Sequence, residues 1–343
     1  MSLGLDLAER GLLPDAVTRL GIRRLLRDRL RSESHGGPEG DQQHLMGLVE
    51  ELKRSPLAVH TDAANAQHYE VPAEFYLQVL GKRLKYSSCY YPDGVTGLDQ
   101  AEEVMLGMTC ERAQLADGMD ILEIGCGWGS LTLWMAEKYP HARITAVSNS
   151  ASQREFITAR ARERGFANVT VITANMIGFD TQLRFDRVVS VECFEHLRNY
   201  HELFRRISTW LKPDGKLFTH VFSHSRFAYP FETSGTDDWM GKHFFTGGIM
   251  PSDQLFLYFQ EHLAIAAHWR VDGTHYARTA RGWLDNLDRR RDTVMGFFRR
   301  DADHKLATVR CERWRMFFMA CEELFGYAKG QEWIVSHYLF TRR

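Results

Sequence analysis

The 343-residue chain contains no apolar run approaching the roughly 18 residues needed to cross a bilayer. It also has no surplus of either charge: 43 Lys and Arg stand against 44 Asp and Glu, a formal net charge of −1. Such balance argues against a polyanion such as nucleic acid as the main partner. Cysteine is sparse, and the six residues at 89, 110, 126, 193, 311 and 321 form neither a C-x-x-C pair nor a metal-binding spacing. A disulfide framework and a zinc ribbon are therefore not expected, and reduced thiols point to the cytoplasm. No secretory leader is read ahead of the first structured segment. His220, His224, His243, His262, His268 and His275 share no repeated spacing, so they read as structural and no metal is expected. What remains is an ordinary globular composition, 44% hydrophobic and 25% charged, long enough for an α/β core with additions at both ends.

The chain is organised around Ile121-Leu122-Glu123-Ile124-Gly125-Cys126-Gly127-Trp128-Gly129-Ser130. A short apolar run opens into a glycine-rich turn, and a helical pattern follows from Leu131 to Lys138. Gly125 and Gly127 let the backbone bend sharply and approach a ligand with no Cβ in the way. The spacing differs from the dinucleotide pattern G-x-G-x-x-G and lacks the Lys-Ser/Thr of a phosphate-cradling loop. Nothing here neutralises a pyrophosphate; instead Glu123 offers a carboxylate at the strand end, where it can hold an ammonium group. The stretch resembles the first motif of S-adenosylmethionine (SAM)-dependent methyltransferases. Taken alone it also fits a plain tight turn.

Downstream the chain alternates. Residues 141–148 read as a second strand ending at Asn149, 153–164 as a helix, and 169–173 as a third strand ending at Asn175 and Met176. A fourth strand over 185–191, a helix over 200–211 and a fifth strand over 216–222 follow. This alternation predicts an α/β, doubly wound, mostly parallel sheet with helices on both faces. In such sheets ligands bind outside the carboxyl ends of the strands, and those ends supply Gly125, Asn149, Asn175 and Glu192. Immediately after the fourth strand stand Glu192, Glu195 and His196. If either glutamate bonds the imidazole, it fixes the tautomer and raises basicity, which makes His196 a proton acceptor. The plainer alternative is a polar loop with a helix cap.

The flanks are less explicit. Residues 1–31 carry Leu and Ile at helical spacing beside the basic run 23–31, expected as a helix packed on the core with its arginines in water rather than on a membrane. Residues 32–41 are polar and glycine-rich, a loop; 44–53 are helical again, and 98–116 form an amphipathic helix leading into the first strand. Hydroxyls and aromatics crowd residues 68–72 and 84–91, suiting a pocket wall or a solvated turn with anchoring rings. Aromatics are abundant from 223 onward and mostly belong to a core, although ring faces attract cations and a subset can cage one. Three regions are expected: 1–116, completing the cofactor and substrate pocket; 117–222, the binding core; and 223–343, a substrate cap plus the last part of the core.

The runs HYEVPAEFY, YSSCYYP, ILEIGCGWGSL, VSNSASQ, FEHLRNY, FFTGGIMPS, HYARTARGW and WRMFF…ELFGYAKGQEW resemble, in order along essentially the whole chain, the coclaurine and pavine N-methyltransferases. That branch is grouped with the cyclopropane fatty acid synthases and mycolic acid methyltransferases. The resemblance implies a Rossmann-like fold, SAM as methyl donor with S-adenosylhomocysteine as product, and a small aromatic amine as acceptor. It implies that Tyr86 and Ser87 hold the methionine end of SAM, with Glu123, Gly125 and Gly127 at the glycine turn. Asn149 and Gln153 match the ribose and adjacent contacts. Asn175, with Met176 beside it, stands where the family usually has an aspartate that binds the adenine amino group. Glu192, Glu195 and His196 match the Glu-x-x-Glu-His active-site segment, and Tyr69, Trp314 and Phe317 match positions lining the amine pocket. Cyclopropane synthases read Tyr-Ser-Cys where this chain has Tyr86-Ser87-Ser88, and their cysteine helps hold a bicarbonate that acts as base. Glu195, His220 and Tyr276 still match that bicarbonate site, but Ser88 leaves it incomplete, which favours amine over alkene methylation. The expected function is N-methylation of a tetrahydroisoquinoline- or phenethylamine-type amine, with His196 as proton acceptor and Glu192 or Glu195 as its orienter. The alternatives are cyclopropane synthase-like methylation of unsaturated acyl chains and a SAM-binding protein without catalysis. Membrane contact is not expected, and a homodimer is compatible with the sequence.

Overall fold

The computed structural model describes residues 3–59, 73–231, 233 and 238–343. Strands β1 (Asp120–Ile124), β2 (Arg143–Ser148), β3 (Val169–Thr173), β4 (Phe185–Val191) and β5 (Leu211–His224) appear in the order the alternation predicts. After the short hairpin of β6 (Tyr229–Pro230) and β7 (Ile249–Met250) come β8 (Leu263–Val271) and β9 (Trp333–Arg342). The seven-stranded sheet has the order β3-β2-β1-β4-β5-β9-β8. Its first five strands run parallel, while β9 runs antiparallel to both neighbours. Strand order reverses between β1 and β4, where the connections leave the sheet in opposite directions and open a crevice at the strand ends.

In strand β1 every residue after Asp120 is buried, Glu123 with its apolar neighbours, as a central parallel strand covered on both faces requires. Gly125 follows it at φ 79°, and a Cβ built there would lie 2.5 Å from the Cys193 sulfur. The turn after β1 and the turn after β4 can therefore pack together only because residue 125 is glycine. Gly129, also at positive φ, precedes the helix Ser130–Lys138, and its missing side chain admits Ile157 from the next helix.

Several boundaries differ from the sequence expectation for local reasons. The helix expected over 44–53 begins at Pro38, whose fixed φ suits a first helical position. The helix expected to reach 116 ends at Arg112, where Gln114 takes a left-handed conformation. Strand β5 begins at Leu211, which pairs with Phe185 across a register irregularity.

The N-terminal helices Leu3–Glu9 and Asp15–Ser32 lie on the long helix His304–Gly326 and are held there by charge. Arg19 reaches Glu322 and Glu323 at 2.8 and 2.7 Å. Arg315 joins Asp15, Asp288 and Glu312 at 2.9, 2.6 and 3.0 Å. Glu312 is nearly buried and also bonds Arg291. Removing the central cation leaves that carboxylate and its neighbours underpartnered. Arg315→Met is accordingly expected to cost about 2–4 kcal/mol and to lower Tm measurably in a thermal melt. An unchanged Tm would mean that the cluster contributes no net stability. Among the described residues, no helix is long and apolar enough to cross a membrane.

Candidate active site

A cavity of about 250 Å³ opens at the carboxyl ends of the parallel strands. From β1 and its turn come Glu123, Gly125, Cys126, Gly127 and Trp128. Residues just beyond β2 and β3 add Asn149, Gln153, Asn175 and Met176, and those beyond β4 add Glu192 and His196. A segment ahead of the sheet supplies Lys85, Tyr86 and Ser87, while Tyr276, Trp283 and Phe317 close the far side. Most of the residues expected on the rim thus share one wall. Glu195 and Trp314 do not reach it. Glu195 is fully buried, and Trp314 sits in the aromatic cluster behind Phe317, at 5.7 Å between ring centroids. Tyr69 lies outside the described residues.

The cofactor half is polar. Gln153 accepts from Ser148 Oγ at 2.7 Å, and Ser150 caps the helix that begins at Ala151. The Asn175 side-chain oxygen accepts from the Ile177 N–H at 2.9 Å, so one of its two acceptor sites is engaged in holding its own turn. Glu123 is buried against the Thr132 hydroxyl, and burial pushes its carboxyl up to about 7 against the opposing pull of that bond. The hydroxyls of Tyr86, Thr109 and Ser130 line the cavity without a hydrogen-bond partner among the described residues. Buried hydroxyls without partners are costly in a finished core, so they mark a place for a polar ligand. A Cβ on Gly127 would meet none of the described residues within 4 Å, and this glycine lines the cavity.

The acceptor half is aromatic, with one fixed carboxylate. Glu192 has φ 46°, a left-handed conformation uncommon outside glycine. That twist turns its side chain toward β5. Oε1 accepts from the Ser88 backbone N–H at 2.8 Å and from His220 Nε2 at 3.1 Å, and Oε2 accepts from the Tyr276 hydroxyl at 2.6 Å. Burial pushes the Glu192 carboxyl up, against the Lys85 ammonium and the bonds from Ser88 and Tyr276. Lys85 is itself buried on the cavity wall, bonded to the Ser87 hydroxyl, and burial pushes its ammonium down. Glu195 Oε1 accepts from the Phe222 N–H at 2.7 Å, while Oε2 has no partner among the described residues. Burial first, and the Glu192 charge second, push the Glu195 carboxyl well up and favour its neutral form.

The two glutamates expected to orient His196 make other bonds among the described residues: Glu192 with Ser88, His220 and Tyr276, and Glu195 Oε1 with Phe222. His196 faces the cavity with its ring parallel to Phe245, centroids 5.3 Å apart and planes within 4°. Sequence reasoning gave no role to Lys85 or Tyr76, both on the cavity wall. The basic residue inside the aromatic run 84–91 was the signal for Lys85, because a lysine flanked by anchoring rings is drawn inward with them.

A parallel sheet whose order reverses beside a glycine turn, with partnerless hydroxyls and an acidic strand end around the crevice, defines a SAM-dependent methyltransferase. The family model of mycolic acid cyclopropane synthetase matches residues 58–333, and the chain belongs to that family. It lies on the N-methyltransferase branch. An (S)-coclaurine N-methyltransferase from Thalictrum flavum subsp. glaucum is 39% identical over 98% of this chain and 94% of its own length. Pavine N-methyltransferase from the same plant is 35% identical over 89% of this chain and 87% of its own. The crystal structure of coclaurine N-methyltransferase bound to N-methylheliamine and SAH superposes with a TM-score of 0.95 at 38% identity, covering 98% of both chains. The cofactor of this chain is SAM, and the partnerless hydroxyls and the bare face of Gly127 fit a polar ligand of that kind.

Proposed function

We propose that this enzyme methylates the nitrogen of a small aromatic amine of the tetrahydroisoquinoline or phenethylamine type. The observation that carries this reading is the occupancy of the anion position. In the cyclopropane synthases that the chain resembles, a free bicarbonate serves as base. Here His220, Tyr276 and the backbone of Ser88 all donate to the chain's own Glu192 carboxylate. A side-chain anion surrounded by donors leaves these groups nothing to offer a bicarbonate, and it provides a fixed negative charge for an incoming ammonium.

The amine enters mostly protonated, because an alkyl amine titrates near the lysine value of about 10. Glu192 draws the cation in, and the faces of Tyr276, Trp283, Phe245 and Phe317 accommodate it without offering a competing nucleophile. His196, on the cavity wall and parallel to Phe245, accepts the N–H proton and frees the lone pair. Tyr86, Ser87, Lys85 and the glycine turn would hold SAM, which supplies an electrophilic methyl group when bound. Positioning of the two partners accounts for much of the rate. Glu195 serves as support, anchoring β5 through Phe222.

Turnover of labelled SAM on a panel of aromatic amines and unsaturated phospholipids, with and without bicarbonate, tests this assignment. Amine turnover indifferent to bicarbonate is expected; activity confined to lipids would overturn it. Phe317 and Trp314 give a second expectation. Phe317→Leu removes a ring face from the cavity and should raise the amine KM about 3- to 30-fold while SAM affinity holds. Trp314→Phe, in the cluster behind, should lower Tm and leave that KM within about twofold. Steady-state kinetics and thermal melts on both variants decide it, and the reverse pattern would exchange their roles.

A further inference from the structure

Behind Glu192 runs a line of buried groups that ends on a helix terminus. Strands β5 and β9 pair antiparallel with His220 opposite His337, and His337 Nε2 lies 3.0 Å from His220 Nδ1. On the other side, His337 Nδ1 lies 2.8 Å from Arg112 Nη1. Arg112 closes the helix Leu98–Arg112, with its guanidinium 5.2 Å over the Trp269 ring. Trp269 is the β8 partner of His337, so the same register that aligns the histidines also places the platform on which the arginine rests.

The chemistry of arginine gives this line a direction. A guanidinium only donates and is not deprotonated in proteins. Nδ1 of His337 must therefore accept, and its proton resides on Nε2. That proton faces His220 Nδ1, which must accept in turn, so His220 carries its proton on Nε2 and donates to Glu192 Oε1. Both rings have no exposed surface, and burial, together with the Lys85 and Arg112 charges, pushes both imidazoles well down and keeps them neutral. A proton reaching Glu192 has no exit along the two rings, because Arg112 cannot take one at the far end.

We infer that Arg112 and His337 are positioning residues for methyl transfer: they fix the tautomer of His220 and through it hold Glu192 as a hydrogen-bond acceptor facing the substrate. This deepens the amine assignment above and rests on its role for Glu192. Without the arginine, His337 is free to carry its proton on Nδ1 and accept from His220. The His220 lone pair then confronts Glu192 Oε1, and the carboxylate loses a donor and its setting.

The experiment combines two readouts on the full-length enzyme. Imidazole 15N NMR of wild type, which needs neither substrate nor variant, should show His220 and His337 both protonated on Nε2. A proton on Nδ1 of either ring overturns the inference, whatever the enzyme methylates. In Arg112→Met the two rings should lose that single tautomer. On the best amine of the panel the amine KM should rise about 10- to 100-fold, the worth of a hydrogen bond to a charged group, with the KM for SAM unchanged. Arg112→Lys, which also only donates, should bring the amine KM most of the way back, a rescue that a purely structural role for the aromatic contact with Trp269 does not predict. A folded Arg112→Met with wild-type tautomers and wild-type amine KM overturns the inference. So does a Lys variant as impaired as the Met one. If Arg112→Met fails to fold, the wild-type tautomers and the Lys variant decide. Absence of turnover on any amine, with the tautomers as expected, counts against the amine assignment and leaves the hydrogen-bond line standing.

Discussion

Gly127→Val is expected to abolish SAM binding in a protein that still folds. Two effects act together at this position. The residue sits at φ 50°, where a β-branched side chain is strained by roughly 1–2 kcal/mol. Its Cβ would meet none of the described residues within 4 Å and would enter the cavity, so the packing around it tolerates the added atoms while the ligand space does not. Circular dichroism and a thermal melt should report a folded chain with a modestly lower Tm, and calorimetry should report no SAM binding at millimolar concentration. The neighbouring Gly125→Val provides the contrast: a Cβ there would fall 2.5 Å from the Cys193 sulfur, so that variant should fail to fold well. Near-native SAM affinity in Gly127→Val would remove the glycine turn from the cofactor site.

The rim of the site was legible in the sequence because each contributing strand ends within two residues of Gly125, Asn149, Asn175 or Glu192, and the parallel topology collects those ends on one side. Less legible was the division of labour within Val191–His196. Adjacent residues suggest a bonded pair, but the left-handed turn at Glu192 sends its carboxylate to β5, to a histidine 28 positions away. The link between His220 and His337 spans 117 positions and depends on the β5–β9 register, which local periodicity does not carry. Trp314 and Phe317 share one helix and, by resemblance, one expected place on the amine pocket. Three residues turn a helix by about 300°, so the two side chains diverge by about 60°: both belong to the buried aromatic cluster, and Phe317 also lines the cavity.

His196→Ala carries the other large effect and separates the proton acceptor from the anion beside it. If His196 takes the amine proton, its removal should lower kcat by about 10²–10⁴, the usual range for a lost general base, with SAM affinity intact. Raising the pH from about 7 to 10 should restore much of the loss, since solvent then removes the proton before the amine binds. Glu192→Gln should behave differently. Its amide keeps the shape of the carboxyl but loses the charge and turns an NH₂ toward donors that need an acceptor, so the dominant change should be a rise in amine KM. Loss of negative charge also removes the attraction for the ammonium form, so high pH should narrow the gap in KM and leave kcat little changed. Measured in carbonate-depleted buffer, the wild type should keep full amine turnover, because the donors around Glu192 are satisfied from within the chain. A wild type that stalls without bicarbonate, together with a His196→Ala variant unrescued at high pH, would return the enzyme to the alkene chemistry of its wider family. A His196→Ala variant of wild-type kcat with a disabled Glu192→Gln would instead transfer the base to Glu192.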